Sequence, residues 1–522
     1  MSERPLISVL TPVYNTPTGV LRETIESVRS QGFTDWQLVL VDDASPDPAV
    51  RDVLRAAAAS DPRIQVIERT ENGGIAAASD DALSAATGTY VALLDHDDLL
   101  VDGALGRVAE EIRRFDDIDY LYTDEDKVDE SGTFSDVFLK PDWSPERLRG
   151  QMYTAHLSVL RTALVRSVGG FRAGFDGSQD HDLVLRVTER ARRIVHVPEV
   201  LYHWRLIQGS AAADIEAKPY AWDAGRRAVD EHLRRVAIDG VAELGPVPGT
   251  YRVRRNPAPG HRVSVIIPTR GSSGMVRGER RVFVEECVRT LVERSGLPGL
   301  EIVAVCDTVT PPEVLDALRQ VGGEALRIVH FDEPFNFSAK CNVGALHATG
   351  DILLFLNDDT EVPAGASLEP LVGPLDEVDV GMTGARLLFE DGRLQHGGHV
   401  YDDGDWYHAR FFAGPDDYGP FSSLLIAREA SGLTAACVAM RREVFEAVGG
   451  FSEQLPVNFN DVDLSYKVRS AGYRLVWLPD ATAFHFESQT REATVLASEV
   501  QATRARWGVP GRDPYFPQDS RV

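Results

Sequence analysis

The sequence predicts an α/β fold arranged as two tandem domains, and three observations lead to this prediction. Short apolar runs alternate with amphipathic helical patterns along most of the 522 residues, which is typical of βαβ units around a parallel sheet. The order of motifs that begins at Ile7 recurs from Val263 onward. The repeating unit is far longer than a solenoid repeat, so each copy is expected to be a whole domain, as the chain length allows.

The elements of the first copy follow one another in the order that such a fold requires. Short apolar runs predict strands, and runs with a helical period predict the helices between them. In chain order the segments are the strand from Ile7 to Leu10, the helix LRETIESVRSQ, the strand QLVLVDDAS, the helix DVLRAAAASD, the strand RIQVIER, the helix IAAASDDALSAAT and the strand YVALL.

The second copy repeats this scheme after a connecting segment that is rich in Gly and Pro. Because this segment lacks a helical period, it is expected to be a linker or a short connecting strand. A helical pattern follows Arg491 and runs to about Trp507. We therefore expect a first domain at 1–240, a linker at 241–262, a second domain at 263–491 and a C-terminal helix and tail at 492–522.

Composition excludes several classes of protein. The net charge of −26 argues against binding nucleic acid through a basic surface, and it requires that any phosphorylated substrate be neutralised locally. No apolar run approaches the roughly 20 residues that span a bilayer, and a strand-like segment starting at Leu6 leaves no room for a signal peptide. The cysteines lack CxxC spacing and are expected to be buried free thiols in a reducing cytoplasm; they are Cys287, Cys306, Cys341 and Cys437.

Acidic residues follow two strands of the first copy. Asp95, Asp97 and Asp98 come directly after an apolar strand, where open α/β sheets bind ligands. An isolated acidic pair there is most often only a polar strand end, but Asp42 and Asp43 close the second strand as well. Two acidic groups at one sheet edge favour a site for a hard divalent cation that also takes phosphate oxygens.

A second acidic motif begins a predicted helix in each copy. Asp180 lies in GSQDHDL and Asp461 in FNDVDL, both shortly after GGF. Acidic residues favour any helix N-terminus, with Ser178 as a cap in the first copy, so one such motif alone says little. Its recurrence at the same place favours function. His203 and His485 follow these residues by 23 and 24 positions, which favours a metal or phosphate contact over two unrelated core histidines.

As an ordered set, these motifs resemble family-2 glycosyltransferases of the GT-A fold, which are inverting enzymes that use nucleotide-diphosphate sugars. The resemblance covers nearly the whole chain. The second half is similar to rhamnosyltransferase-like domains of bacterial surface-polysaccharide synthesis, and the first half resembles glucosyl- and galactosyl-type members. The motifs are PVYN, VDDASPD, NGGI, LLDHDD and SQDHDL in the first half, and PTRG, FNFSAKCN, LLFLNDDTE, GGF and HFESQTR in the second.

The resemblance implies a donor-binding set, a metal-binding pair and a catalytic base in each domain, with Mn²⁺ or Mg²⁺ as the metal. In the first domain it implies Pro12, Val13, Tyr14, Asp43 and Asp95 for the donor, Asp97 and His203 for the metal, and Asp180 as the base. In the second it implies Pro268, Asp307, Asn357 and Asp358 for the donor, Asp359 and His485 for the metal, and Asp461 as the base.

The chemistry agrees with these implied roles. An acceptor hydroxyl that attacks the anomeric carbon must lose a proton, which an ionised Asp accepts. A divalent metal stabilises the charge on the leaving diphosphate, and so removes the difficulty of binding an anionic donor to an acidic protein. The sequence departs from the family pattern at Asp80, Gln179, Cys306 and Asn357. None of these departures removes a metal-binding or proton-accepting Asp, so both sites are predicted to be competent.

We therefore expect a bifunctional, metal-dependent inverting glycosyltransferase that builds a bacterial surface or extracellular glycan on the cytoplasmic side of the membrane. Its partners would be nucleotide-diphosphate sugar donors and a glycan or lipid-linked glycan acceptor; peripheral membrane association and oligomeric state stay open. One alternative keeps one active domain beside a degenerate acceptor-binding or dimerisation module. Another is a non-catalytic nucleotide-sugar or glycan-binding protein, against which the paired Asp bases argue.

One further segment, residues 396–418, is rich in aromatic residues, His and Gly. We predict that it is a mobile acceptor loop rather than an ordinary surface insertion, because aromatic faces stack well on sugar rings.

Overall fold

The computed structural model describes residues 4–206, 219–486 and 495–516. The chain divides into two compact units, Met1–Val253 and Arg254–Val522. The division falls inside the Gly- and Pro-rich connecting segment, which contributes the strands of a two-stranded sheet at Gly240–Leu244 and Tyr251–Arg255.

The first unit is built around one mixed sheet. Its strands are β1 (Ile7–Val13), β2 (Trp36–Asp42), β3 (Ile64–Glu68), β4 (Tyr90–Leu93), β5 (Leu99–Leu100), β6 (Ile118–Val128), β7 (Phe134–Phe138), β8 (Ser158–Arg161) and β9 (Arg193–Arg205). Its helices are α1 (Thr18–Arg29), α2 (Pro48–Ser60), α3 (Ile75–Ala85), α4 (Ala104–Arg114), α5 (Pro145–Gly150), α6 (Thr162–Ser167), α7 (Gln179–Thr188) and α8 (Pro219–Arg235). The connecting strands are β10 (Gly240–Leu244) and β11 (Tyr251–Arg255).

The strand order of this sheet creates a crevice. The order is β3-β2-β1-β4-β8-β6-β9-β5, with β7 beside β6. β1 pairs in parallel with β2 on one side and with β4 on the other, whereas β8 runs antiparallel to β4 and β6. Because the strand order reverses at β1, the carboxyl ends of β1 and β4 are where ligands bind in open α/β sheets.

The second unit has the following elements. Its strands are β12 (Val263–Thr269), β13 (Ser273–Val276), β14 (Glu279–Val282), β15 (Glu301–Asp307), β16 (Leu326–Phe331), β17 (Ile352–Leu356), β18 (Thr360–Glu361), β19 (Val380–Leu388), β20 (Leu394–His396), β21 (His399–Asp402), β22 (Asp405–His408), β23 (Arg428–Glu429), β24 (Cys437–Arg441) and β25 (Arg474–His485). Its α-helices are α9 (Phe283–Arg294), α10 (Pro312–Gly322), α11 (Phe337–His347), α12 (Arg442–Ala447), α13 (Asn460–Ser470) and α14 (Ala497–Trp507), and short 3₁₀ turns lie at Gly323–Ala325, Glu369–Leu371, Gly373–Asp376 and Pro420–Ser422.

The second sheet repeats the topology of the first. Its order is β16-β15-β12-β17-β24-β19-β25-β18, with β20 beside β19 and β23 beside β25. β12 pairs in parallel with β15 and β17, as β1 does with β2 and β4. The predicted duplication of an α/β domain is therefore confirmed.

Apolar helix faces cover both sheets. In α1 the side chains of Leu21, Ile25 and Val28 are buried, three and four residues apart, as one helix face requires. Each fully buried side chain of this size contributes about 1.5–3 kcal/mol. β1 and β12 are apolar on both faces because helices cover both sides of a parallel sheet.

Two expectations about the whole chain are tested directly. The cysteines are free and buried, as predicted. Within residues 4–206, 219–486 and 495–516, no helix combines the length and the apolar character needed to cross a membrane.

Candidate active sites

The second unit contains a cavity of about 620 Å³ at the carboxyl ends of β12 and β17. Several distant parts of the chain meet in its lining. The predicted site residues among them are Pro268, Asn357, Asp358, Asp359, Asp461 and His485. Asp307 is not among the lining residues, but its Oδ1 accepts a hydrogen bond of 2.7 Å from Lys340 Nζ, which does line the cavity.

His485, the last residue of β25, faces the acidic motif. Its Nε2 lies 3.2 Å from Asp359 Oδ1 and 3.0 Å from Asn357 Nδ2. Its Nδ1 lies 2.7 Å from Oε1 of Gln395, an acceptor, so Nδ1 carries the proton and Nε2 presents its lone pair toward Asp359. An imidazole held in this way beside a carboxylate has the orientation of a metal ligand. These residues therefore fit a divalent cation such as Mn²⁺ or Mg²⁺.

The neighbouring carboxylate, Asp358, is tied to the end of β12. Its Oδ2 accepts a hydrogen bond of 2.6 Å from Thr269 Oγ1. Burial, reinforced by the charge of Asp359, raises the pKa of Asp358 to about 7. Two adjacent desolvated carboxylates repel each other, and a bound cation relieves that repulsion.

Asp461 lies in the first turn of α13, on another wall of the same cavity. Its Oδ1 accepts from the backbone N–H of Val462 at 2.8 Å, and its Oδ2 lies 3.4 Å from the amide nitrogen of Ala435 and 4.0 Å from His399 Nε2. Burial raises the pKa of Asp461 above its usual value. A carboxylate with a raised pKa is a stronger proton acceptor, as a general base requires.

A buried carboxylate of the C-terminal helix α14 holds the loop that precedes Asp461. Glu499 is only 2% exposed, and it accepts hydrogen bonds from the amides of Val457 and Asn458 at 2.9 and 3.0 Å. The side-chain amide of Asn458 donates to it as well, at 2.9 Å. α14 therefore fixes the approach of the chain to the first turn of α13.

Part of the predicted acceptor segment, residues 396–418, forms a wall of the cavity. It contains the antiparallel hairpin of β21 and β22. The hairpin residues that line the cavity are His399, Trp406, Tyr407 and His408. The indole of Trp406 is anchored by a hydrogen bond of 3.2 Å from its Nε1 to the Tyr466 hydroxyl.

In the first unit the acidic motif again follows the central strand. Asp97 lies between β4 and β5, and burial raises its pKa. Asp98 is fully buried and accepts hydrogen bonds from the Tyr202 hydroxyl and the Arg205 amide. Asp98 thus links the motif to β9, while Asp95 and Asp97 are only partly buried.

His156 belongs to this first site and was not predicted from the sequence. Its Nε2 lies 3.7 Å from Asp95 Oδ2, and its Nδ1 lies 3.3 Å from Glu125 Oε2. Burial by itself would lower the pKa of His156, but Glu125 and Asp95 raise it well above the usual value. The two carboxylates therefore favour the protonated form of the imidazole next to Asp95. By the registers of β8 and β24 its counterpart is Ala436, so the internal repeat carried no signal for it.

Strand register shows that His203 is not the structural counterpart of His485. His485 pairs with Thr360, the first residue after Asp359, whereas His203 pairs with Leu99, the second residue after the matching Asp97. The counterpart of His485 is therefore Trp204. Because side chains alternate along a strand, a shift of one residue turns a side chain to the opposite face of the sheet.

The contacts of these two residues agree with the register. The Nδ1 of His203 is hydrogen-bonded to a carboxylate oxygen of Asp126 on β6. The ring of Trp204 lies 5.5 Å from that of His156, centroid to centroid. The first site thus has an indole where the second has an imidazole, and it receives its own imidazole from the segment before β8.

Asp180 lies at the start of α7, as predicted. Burial raises its pKa, which is also affected by the nearby charges of His156 and Asp95. The expectation that Ser178 caps this helix is wrong, because the Ser178 hydroxyl donates instead to the carbonyl of Ala221. Because the charges of His156 and Asp95 act on Asp180, the start of α7 lies near the acidic motif.

The predicted nucleotide-binding residues of the first unit follow β1 and β2. Asp43 is 3% exposed, and its two carboxylate oxygens accept hydrogen bonds from the amides of Gly73 and Gly74 at 2.8 and 2.9 Å. Its carboxylate thus organises the turn before α3 at the edge of the crevice. β1 leads into the same edge with Pro12, Val13 and the exposed Tyr14.

The chain matches the protein family described as Glycosyl transferase family 2 twice, over residues 8–166 and 264–449. These two segments together cover more than half of the chain. The chain therefore belongs to glycosyl transferase family 2, and the GT-A type of α/β fold that the motifs implied is confirmed.

Two long relatives cover almost all of this chain. It is 43% identical over 517 residues to an uncharacterized protein, y4gI, of Sinorhizobium fredii; the matched region covers 96% of this chain and 56% of that protein. It is 36% identical over 522 residues to the O-antigen biosynthesis protein RfbC of Myxococcus xanthus; here the matched region covers 99% of this chain and 40% of that protein. The chain thus spans about half the length of these relatives. A crystal structure of S. aureus TarS 1-349 in complex with UDP-GlcNAc matches at 21% identity and a TM-score of 0.37, over 44% of this chain and 66% of that one.

Proposed function

We propose that this member of glycosyl transferase family 2 is a bifunctional inverting enzyme that moves sugars from nucleotide-diphosphate donors to a growing cell-surface or extracellular glycan. The observation that carries the proposal is the cavity of the second unit, in which a desolvated Asp461 faces the acidic motif and His485. The repeated topology and Asp180 support a second site of the same kind. The name of the Myxococcus relative, an O-antigen biosynthesis protein, supports polysaccharide synthesis as the process.

In the proposed reaction, an acceptor hydroxyl attacks the anomeric carbon of the donor sugar while its proton passes to the carboxylate of Asp461. The bond from that carbon to the diphosphate oxygen breaks in the same displacement, so the anomeric centre inverts and no enzyme nucleophile is needed. The raised pKa of Asp461 suits this proton transfer, which typically contributes about 10²–10⁴-fold. Asp180 would act in the same way in the first unit.

The donor diphosphate requires positive charge in both sites. Asp359 and His485 in the second site, and Asp95 and Asp97 in the first, would hold Mn²⁺ or Mg²⁺, which supplies Lewis-acid stabilisation of the leaving group. In the first site the cationic His156 adds positive charge next to the acidic motif.

Differences between the two sites support different donors. His156 and Trp204 of the first site stand where the second has Ala436 and His485. Exchanging an imidazole and an indole around the acidic motif changes both the charge and the shape of the space next to the donor. We place the enzyme in the cytoplasm, and at the inner face of the membrane where the acceptor is lipid-linked.

Single variants test the two-site proposal. Asp97→Ala and Asp359→Ala are each expected to abolish one of two distinct transfer or donor-hydrolysis activities and to leave the other unchanged, measured over a panel of nucleotide sugars with Mn²⁺. Asp52→Asn and Asp332→Asn, at exposed positions in the first and second units, are the matched controls and should retain both activities.

Two other outcomes would contradict the proposal. If Asp180→Asn leaves all turnover intact while Asp461→Asn abolishes it, or the reverse, one unit is a degenerate acceptor-binding or dimerisation module. If calorimetry shows donor binding but no hydrolysis or transfer occurs with any acceptor, the protein is a nucleotide-sugar binder.

A further inference from the structure

We propose that His396, His399 and His408 form a binding site for a divalent transition metal of the zinc class, separate from the carboxylate site that holds the donor diphosphate. The three histidines come from the end of β20, the start of β21 and the end of β22. The site goes beyond the proposed transfer reaction, which does not use these side chains.

The geometry of the three rings is that of a metal triad. Their centroids are separated by 5.0, 5.0 and 4.8 Å, and their planes are inclined by 80°, 84° and 73°. One ligand nitrogen of each ring lies within 4.8 Å of the others. Zinc–nitrogen bonds of about 2.0–2.1 Å in tetrahedral geometry place ring centres about 5 Å apart.

Burial leaves one ring nitrogen of this group without a hydrogen bond. His396 is 1% and His399 is 4% exposed. The Nδ1 of His399 is buried and has no hydrogen-bond partner among the residues that the structure describes. A buried polar atom without a partner is unfavourable, and metal coordination is one way to satisfy it.

The ligand set has the chemistry of a transition-metal site. The group consists of imidazoles, which suit zinc, cobalt and nickel, whereas the carboxylates of the acidic motif suit magnesium and manganese. Burial lowers the pKa of His399 and His408 to about 3, so both are in the neutral form that binds metals. The carboxylate of Asp461 lies beside this group, with its Oδ2 4.0 Å from His399 Nε2.

Without a metal, the same rings form a weaker arrangement. The Nδ1 atoms of His396 and His408 lie 2.8 Å apart, and His396 Nε2 accepts from the Thr434 amide at 3.3 Å. Metal binding would replace the contact between the two rings with coordination to all three. It would also join β20 to the hairpin that forms the cavity wall beside Asp461.

Metal titration of the 522-residue chain without an affinity tag tests the site. After treatment with EDTA, the protein is expected to bind one equivalent of Co²⁺ with the intense visible absorption of tetrahedral coordination, and Zn²⁺ should displace it. The signal should persist in Asp359→Asn, which separates this site from the donor site. His399→Gln and His396→Gln should each weaken binding at least about tenfold, the loss typical even for an outer-shell partner. His330→Gln, at an exposed histidine, is the matched control.

A second measurement needs no variant and so does not depend on how a variant folds. X-ray absorption of the cobalt-loaded wild type should show scattering from three imidazoles. Three results would each overturn the proposal in favour of a metal-free hydrogen-bonded histidine cluster. They are a wild type that binds no stoichiometric Co²⁺ or Zn²⁺, folded histidine variants that bind as wild type, and a spectrum with oxygen ligands only. These readouts do not use transfer activity, so their failure is distinguishable from failure of the proposed function.

Discussion

The hydrogen bond between His485 and Gln395 determines which nitrogen of the histidine ring carries the proton. The Gln395 carbonyl accepts from Nδ1, so Nε2 is left as a lone pair 3.2 Å from Asp359 Oδ1. Without this acceptor the ring could present N–H to the carboxylate and so compete with a cation. The second-unit site therefore depends on Gln395, a residue of β20.

Gln395→Leu removes this acceptor while keeping the approximate size of the side chain. It is expected to weaken the Mn²⁺ affinity of the second site by about 10–100-fold, measured by Mn²⁺ electron paramagnetic resonance and by the Mn²⁺ dependence of transfer. Gln395→Glu keeps an acceptor oxygen and should stay close to wild type. Equal Mn²⁺ affinity in Gln395→Leu and wild type would show that the tautomer is fixed by something else.

At the scale of elements, one buried carboxylate of the C-terminal helix α14 holds the loop before α13, the helix that carries the proposed base. Glu499 accepts three hydrogen bonds from Val457 and Asn458, so the loop before Asp461 has its amides satisfied by a residue distant in sequence. Trp507 at the end of α14 adds a hydrogen bond of 2.8 Å from its Nε1 to Asp463 Oδ1 on α13. Both ends of α14 are thereby tied to the segment that carries the proposed base.

Glu499→Gln should disturb this loop, because an amide replaces one acceptor oxygen with a donor that faces backbone N–H groups. We expect a loss of about 1–3 kcal/mol in the free energy of unfolding of the second unit and a lower kcat for the reaction of that unit. The first-unit reaction should be unchanged. Gln501→Ala, an exposed change on the same helix, is the control. Unfolding is measured by denaturant titration. An unchanged kcat in Glu499→Gln would contradict the positioning role.

At the scale of the whole molecule, the chain carries the same sheet order twice, and each copy ends its central strands in carboxylates. The copies differ in which part of the chain supplies the imidazole next to those carboxylates: the segment before β8 in the first copy and β25 in the second. Two similar crevices with different charge patterns are the expected form of two transfer sites with one mechanism and separate donors.

Binding stoichiometry tests this view independently of turnover. Calorimetric titration with UDP and with dTDP in the presence of Mn²⁺ is expected to show a total of two nucleotide sites per wild-type chain. Asp97→Ala and Asp359→Ala should each lose a different one of the two. One site in the wild type, lost in only one variant, would mean that a single unit binds donors.

The sequence alone was sufficient for the fold class, the duplication and the positions of the carboxylates, and the reason is physical. Apolar periodicity dictates strands and helices, and residues that directly follow parallel strands must meet at one sheet edge. Asp359 was found in this way, whereas Asp461 and His485 were found from motifs that recur in the two halves of the chain. The structure gathers all three in one cavity.

Only the tertiary structure decided which side chains face those carboxylates. The spacing of His203 and His485 differs by one residue, and a strand turns that difference into the opposite face of the sheet, where Trp204 takes the place of His485. His156 reaches Asp95 from a segment distant in sequence, and the three clustered histidines meet because the hairpin of β21 and β22 folds back on itself beside β20. Such contacts depend on strand register and on the packing of a hairpin against the sheet, and the pattern of a single segment contains neither.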